Sequence, residues 1–329
     1  MNRPTIRRGH RSRGPTGLVT RVLMAGAGLL TILTVWSAPA DAAWSGATHI
    51  PYAVSTGEGL GFASYNGDLY SAWLSHSSPY DIYYSTSSNG TKWAKPKRLS
   101  KAVSNFAAGV SLAVYGGDLY AAWIGNSSPY HIWYSSFNGT SWAKDTEVPI
   151  ALTTEYNELG LASFNGALWL SWVGQSSPYA IYYSALTSTG WSTPTNLPES
   201  SALGYYSTGP ALASYEGYLV ASWASSEGIE YSLYGLTGWT LPSLTPFSTG
   251  LSTGPSLAVY DGALYWAWTR GGESGVSYAD LDVTTWSGVS AIPASVGVNA
   301  YSPAIAAYGS SLYAEWLNSA MKVYYASGP

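Results

Sequence analysis

The sequence predicts an all-β protein, a six-bladed β-propeller of four-stranded antiparallel blades. Three observations carry that expectation: a repeat, a grammar of turns inside it, and two chain ends that complete each other. The repeat is marked by six Trp residues that each close the same short phrase: Trp73, Trp123, Trp172, Trp223, Trp268 and Trp316. Subtracting neighbouring positions gives intervals of 50, 49, 51, 45 and 48 residues. Such a period is the sequence sign of stacked supersecondary units, and about 40–50 residues suits one four-stranded blade. With 36 Gly, 15 % aromatic and only 10 % charged residues, the composition is rich in turns and strands. Its 46 % of hydrophobic residues sets it apart from a disordered chain.

The fifth unit shows the grammar. Gly254-Pro255 leads into an alternating run to Tyr260, then Asp261-Gly262, then a second run from Ala263 to Trp268. Two such runs around Asp-Gly make a tight hairpin, because both central residues of a type I′ turn need positive φ. The turn recurs at Asn66-Gly67, Gly116-Gly117, Asn165-Gly166 and Glu216-Gly217, with Gly309-Ser310 in the sixth unit. A third strand of the form Ile-x-Tyr-Ser starts at Ile82, Ile132, Ile181 and Ile229, with variants at Val276 and Val323. A fourth strand is expected to begin at a second Trp: Trp93, Trp142, Trp191, Trp239 and Trp286.

The last unit stops after its third strand, at Tyr325-Ala326-Ser327. The segment Trp44-Ser45-Gly46 to Ile50-Pro51 reads like Trp286-Ser287-Gly288 to Ile292-Pro293. The N-terminal strand therefore completes the last blade, which pairs an otherwise exposed edge and closes the ring. The repeated Trp, Tyr and Leu positions are read as core between blades, where each large aromatic buries about 150–250 Å².

Residues 1–42 are a different material. Arg3, Arg7, Arg8, Arg11, Arg13 and Arg21 form a basic segment, an apolar run spans Val22 to Trp36, and Ala40 and Ala42 fit a cleavage site. This pattern reads as a secretory signal peptide, the run being shorter than the roughly 20 residues of a membrane span. The expected division is residues 1–42 as signal peptide and 43–329 as propeller, with a secreted, extracellular product. From residue 43 onward eight Lys and Arg face 17 Asp and Glu, a formal balance of −9. That charge offers no footprint for nucleic acid or an anionic membrane. Cysteine is absent, so neither disulfides nor thiolate metal sites contribute. His49, His76 and His131 lack metal-ligand spacing, and no phosphate loop or Gly-x-Ser-x-Gly appears, so no metal or cofactor is expected.

In a four-stranded meander the loop between strands two and three shares a face with the connections between blades. The monotonous Gly turns lie on the other face. Variable loops on a rigid scaffold are where binding usually resides. One loop recurs there: Ser77-Ser78-Pro79-Tyr80, Ser127-Ser128-Pro129-Tyr130 and Ser176-Ser177-Pro178-Tyr179, followed by Asp81, His131 and Ala180. The candidate ligand-binding residues are Tyr80, Tyr130, Tyr179, Ser78, Ser128, Ser177, Asp81 and His131. Half-exposed rings beside hydroxyls suit sugars, whose C–H face packs on an aromatic while their hydroxyls exchange hydrogen bonds. The competing reading is structural: Ser-Pro makes a good turn and the Tyr caps a blade edge. Catalysis would need two carboxylates about 5–9.5 Å apart across a sugar bond. Glu155 and Glu158 are the candidates, against a solvated acidic loop. The partners expected are glycans bound at about three similar sites. The alternatives are a secreted glycan-cleaving hydrolase with one axial site and an exported scaffold for protein partners.

Two resemblances follow from these residues. Ser85 to Trp93 and Ser135 to Trp142 resemble the Asp-box hairpin of sialidase-like propellers, with Gly90 and Gly139 in place and the Asp missing. Sialidases grip a carboxylate with three Arg, and residues 43–329 hold only Arg98 and Arg270, which argues against that activity. The full repeat, from Gly-Pro-x-Leu-Ala-x-Tyr through Leu-Tyr-x-x-Trp and Ile-x-Tyr-Ser, looks like that of the six-bladed fucose-specific lectins. This likeness covers residues 43–329 and implies the architecture and sugar binding. It carries over no residue-level site, because the Arg that recurs in those pockets has no repeated counterpart here.

Overall fold

The computed structural model describes residues 43–328 except 56–58, 78–79, 104–108, 154–157, 178, 201–208, 248–253, 270–274, 296 and 298. The expected signal peptide, residues 1–42, lies outside the described residues. Six separate antiparallel sheets form the blades, each ordered inner strand, second, third, outer. In the first blade these are Gly61–Tyr65, Asp68–Leu74, Asp81–Ser87 and Lys97–Val103. The tight turns adopt the positive φ that their sequence demands, with Asn66 at 49° and Gly67 at 80°, and Asp261 at 46° and Gly262 at 81°.

The ring closes as the chain ends require. The strand Thr48–Val54 pairs antiparallel with Lys322–Ser327, Thr48 standing opposite Tyr325. Ahead of it, the Ser45 N–H donates to the Ser327 carbonyl at 2.7 Å. Trp44 packs against the core between blades five and six, as Trp286 does between blades four and five. One chain end thus fills the position that a continuous repeat fills in every other blade.

Hydrophobic burial is organised by blade interfaces, with one core between each adjacent pair. The six repeated Trp residues are at most 2 % exposed, and each faces the preceding blade. Truncating a Trp so placed costs about 3–5 kcal/mol.

The expectation that the fourth strand begins at the second Trp holds in part: in blades three to five a short ladder includes that Trp, at Gly190–Trp191, Gly238–Trp239 and Thr285–Trp286. In blades one and two the outer strands, Lys97–Val103 and Thr146–Thr153, lie wholly beyond Trp93 and Trp142. In the third blade Gly190–Trp191 is a two-residue ladder, and pairing resumes at Thr195–Asn196. A side chain holds this segment in the first four blades. The Ser of Ile-x-Tyr-Ser is buried and donates to a backbone carbonyl just past the Trp: Ser85 to Ala94 at 2.6 Å, Ser135 to Ala143 at 2.8 Å, Ser184 to Ser192 and Ser232 to Thr240 at 2.7 Å. That bond holds the outer segment while the indole turns into the inter-blade core. At the preceding corner an Asn replaces the missing Asp. Asn89 Oδ1 accepts the backbone N–H of Thr91 and of Lys92, and Asn138 Oδ1 accepts those of Thr140 and Ser141, all within 3.0 Å.

A second series of ties crosses between blades. The Tyr ending each inner strand donates its hydroxyl to a carbonyl in the next blade's tight turn: Tyr65 to Gly117, Tyr115 to Gly166, Tyr215 to Gly262, Tyr260 to Ser310 and Tyr308 to Gly67, at 2.7–3.3 Å. The third blade has Phe164 at this position and makes no such bond. Phe164→Tyr is expected to add about 0.5–1.5 kcal/mol of stability and Tyr65→Phe to remove a similar amount. Melting temperatures of the two variants check both signs. A Tyr65→Phe protein as stable as the unmodified one would mean that the ring, and not the hydroxyl bond, is what matters.

Candidate functional site

The inner strands enclose a central cavity of about 100 Å³. Its wall alternates small residues, among them Gly61, Ser111, Gly160, Ala211, Ser256 and Ala304, with larger apolar ones such as Leu60, Leu112 and Leu161. At the mouth, equivalent positions in the six blades hold Gly59, Gly109, Glu158, Gly209, Gly254 and Ser302. The glycines are sterically required where neighbouring chains touch. A Cβ on Gly59 would lie 2.7 Å from the Gly109 Cα, and one on Gly209 would collide with the Glu158 carbonyl. Glu158 is the one carboxylate among the described lining residues, and it is half-buried. Its sequence partner Glu155 lies outside the described residues. The second carboxylate that glycoside hydrolysis requires is not among the described residues of the cavity wall.

The three repeated loops lie at successive blade interfaces on the cavity-mouth face. Tyr80 packs against the core between blades one and two, Tyr130 against that between two and three, and Tyr179 against that between three and four. All three rings are half-buried. The Tyr80 N–H donates to the Ser77 carbonyl at 2.9 Å and the Tyr179 N–H to Ser176 at 2.8 Å. These two residues have φ of 58° and 57°, whereas Tyr130 begins the strand Tyr130–Phe137, opposite Thr153. Ser128 and Ser177 are exposed. Ser78 lies outside the described residues.

Asp81 and His131 occupy the same blade position, and each is engaged within its own blade. Asp81 accepts a 2.9 Å bond from the Arg98 guanidinium, and that carboxylate holds the Arg98 pKa above its ordinary value. His131 Nδ1 lies 2.8 Å from Glu147 Oε1, at the strand position equivalent to Arg98. The carboxylate thus moves from the third strand to the outer one between these blades, and in the third blade the two positions are Ala180 and Asn196. The described Arg of the chain is therefore committed to a cross-strand pair. Among the described residues no group of three or more His, Asp or Glu side chains is placed to hold a metal ion.

Sequence reasoning missed the variable residue of Ile-x-Tyr-Ser. Tyr83, Trp133, Tyr182 and Glu230 stand directly across the strand pair from Trp73, Trp123, Trp172 and Trp223. Trp133 packs against the same inter-blade core as Tyr80, and Tyr182 against the same core as Tyr130. Both rings lie against the backbone of a glycine. A Cβ on Gly125 would sit 2.8 Å from Trp133 Nε1, and one on Gly174 would sit 2.6 Å from Tyr182 Cε2. Tyr182 is also stacked on Trp172, with centroids 6.1 Å apart and planes at 20°. In the fourth blade Ser225 stands where the glycine was and Glu230 where the ring was. Burial pushes the Glu230 carboxyl above its ordinary pKa and the nearby Glu227 adds to this, while the Trp223 indole and Ser225 hydroxyl oppose it. A readable signal existed, the glycine two residues after the repeated Trp in Trp123-Ile124-Gly125 and Trp172-Val173-Gly174.

No family model matches the chain, and no curated protein matches it in sequence. Solved structures match it in fold. A Hadza microbial sialidase aligns over 86 % of this chain and 68 % of its own at 14 % identity, with a TM-score of 0.64. A variant of the Aleuria aurantia lectin in complex with Fucα1-6GlcNAc aligns over 83 % and 92 % at 13 % identity, with a TM-score of 0.62. The SapL1 lectin in complex with α-methyl fucoside aligns over 81 % and 90 % at 15 % identity, with a TM-score of 0.61. At such identities the likeness extends to architecture alone. The chain has the six-bladed β-propeller fold, and lectins with fucosides bound are among its structural neighbours.

Proposed function

We propose that this protein is a secreted glycan-binding propeller whose shallow sites lie between blades on the cavity-mouth face. The observation that carries the reading is the recurrence of half-buried Tyr80, Tyr130 and Tyr179 at three successive blade interfaces. A ring held by a core on one side and open on the other offers a platform to the C–H face of a pyranose. Exposed Ser128 and Ser177 supply hydroxyls nearby. Lectin neighbours with bound fucosides favour a sugar as ligand. Individually weak sites on one rigid face gain strength when a branched or clustered glycan engages several. The export pattern of residues 1–42 favours a place of action outside the cell.

A broad glycan array probed with residues 43–329, with calcium and again with chelator, tests the reading. The expected result is binding to one coherent sugar class, abolished by the combined Tyr80→Ala, Tyr130→Ala and Tyr179→Ala changes. A blank array under both conditions would refute it. A hydrolase with its chemistry at Glu158 would instead show turnover lost in Glu158→Gln, a change that should leave array binding intact.

A further inference from the structure

We infer that the three repeated loops build two kinds of site: two matched pyranose-stacking sites floored by Trp133 and Tyr182, and a third groove, at Tyr179, that lacks the second ring and holds a single sugar too weakly to register. The inference rests on the glycan reading above and specifies it. Each groove has one contribution from the loop of a blade and another from the third strand of the next blade. The loop contribution is the same three times, Tyr80, Tyr130 and Tyr179. The opposite contribution is not.

Between blades one and two it is Trp133, and between blades two and three it is Tyr182, each packed against the core that its loop Tyr also touches. Both rings rest on a glycine whose missing side chain is what lets them approach the backbone. A ring braced in that way has few rotamers left to lose on binding, so a stacked sugar pays little for ordering it. The glycines are therefore part of the platform, since a Cβ at either one would overlap the ring.

Between blades three and four the same position is Glu230, directly opposite Trp223 in the strand register. Ser225 there has replaced the glycine, and its hydroxyl lies beside the Glu230 carboxyl. No ring faces Tyr179 from this position, so that groove lacks the second aromatic wall. The remaining interfaces lack a Ser-Ser-Pro-Tyr loop altogether. Tyr83, at the interface of blades six and one, faces a blade whose corresponding loop is Asn318-Ser319-Ala320-Met321. Among the described residues, two full ring pairs therefore exist around the propeller.

The experiment is saturation-transfer NMR of four probes: methyl α-L-fucoside, methyl β-D-galactoside, methyl α-D-mannoside and methyl β-N-acetylglucosaminide. Each is added at tens of millimolar to residues 43–329. For whichever probe responds, the ring-proton signal should fall by about half in Trp133→Ala or Tyr182→Ala and vanish in the double variant. Glu230→Gln, in the groove that lacks the second ring, should leave it unchanged. Gly125→Ser and Gly174→Ser copy the fourth blade and keep both rings. They should weaken the signal as the ring deletions do, which guards against a ring deletion that merely unfolds the protein. A signal that survives the double variant, or that falls by a third in each of Tyr80→Ala, Tyr130→Ala and Tyr179→Ala, overturns the two-site assignment while leaving sugar binding standing. Silence from all four probes in the unmodified protein overturns both the assignment and the glycan reading.

Discussion

Removing residues 43–54 from a protein of residues 43–329 should leave a chain that does not reach a stable folded monomer at 25 °C. Those residues carry the strand that pairs with Lys322–Ser327, and without them the last blade ends in an open edge. They also carry Ile50 and Ala53, both fully buried, and the indole of Trp44. Losing a buried Ile costs about 1.5–3 kcal/mol and losing a Trp about 3–5 kcal/mol, before any ladder hydrogen bonds are counted. Net domain stability is only about 5–15 kcal/mol, so the loss is comparable with the whole. The check is thermal melting and size-exclusion chromatography of the shortened chain. A synthetic peptide of residues 43–55 added in trans should restore folding. A shortened protein that melts within about 5 °C of the full one would show that closure by this strand is dispensable.

The second large effect concerns Glu315, a fully buried carboxyl at the interface of blades six and one. Equivalent positions in the other blades are Ala72, Ala122, Ser171, Ser222 and Ala267. Burial pushes its pKa well above the usual carboxylate value of 4.5, and the Ser71 hydroxyl across the seam only partly opposes this. Neither carboxyl oxygen has a hydrogen bond of good geometry. With the folded pKa raised, the native state binds the proton more tightly than the unfolded chain. The contribution to stability is then fully present below about pH 4.5 and is lost as pH rises through the folded value, with a slope of up to about 1.4 kcal/mol per pH unit. Glu230 and Asp280 are also shifted upward by burial and act with the same sign. The comparison with Glu315→Gln isolates the one group. The unmodified protein should lose stability relative to Glu315→Gln between pH 5 and pH 8, as read by denaturant midpoints. Parallel profiles for the two proteins would mean that the carboxyl is already satisfied by its surroundings.

The period, the hairpin turns and the completing N-terminal strand were readable because each depends on a local signal. Positive φ at Asn66-Gly67 is a property of two residues, and alternation in Ala263 to Trp268 a property of six. The likeness of Trp44 to Trp286 is plain in the letters, and the structure places both between blades. The start of the outer strand was only partly readable: blades three to five pair at the second Trp, whereas the regular outer strands of blades one and two begin beyond it. The Ser85 hydroxyl captures the Ala94 carbonyl nine residues on, and nothing in the run from Trp93 announces this.

The candidate site was less readable for a related reason. Tyr80, Tyr130 and Tyr179 stood out because their loop repeats, but Trp133 and Tyr182 were hidden as the variable letter of a scaffold motif. Their meaning comes from which blade each faces, and 53 residues separate Tyr80 from Trp133. The pairing of Asp81 with Arg98, and of His131 with Glu147, likewise required the strand register. The sequence by itself determined the number of blades, their turns and the way the ring closes, because backbone preference and binary patterning act within a few residues. Only the tertiary structure decided which rings pack on one inter-blade core, which charges are already paired and which carboxyl is sealed at the seam. Those outcomes depend on the stagger of one blade against the next, and packing between distant segments sets that stagger.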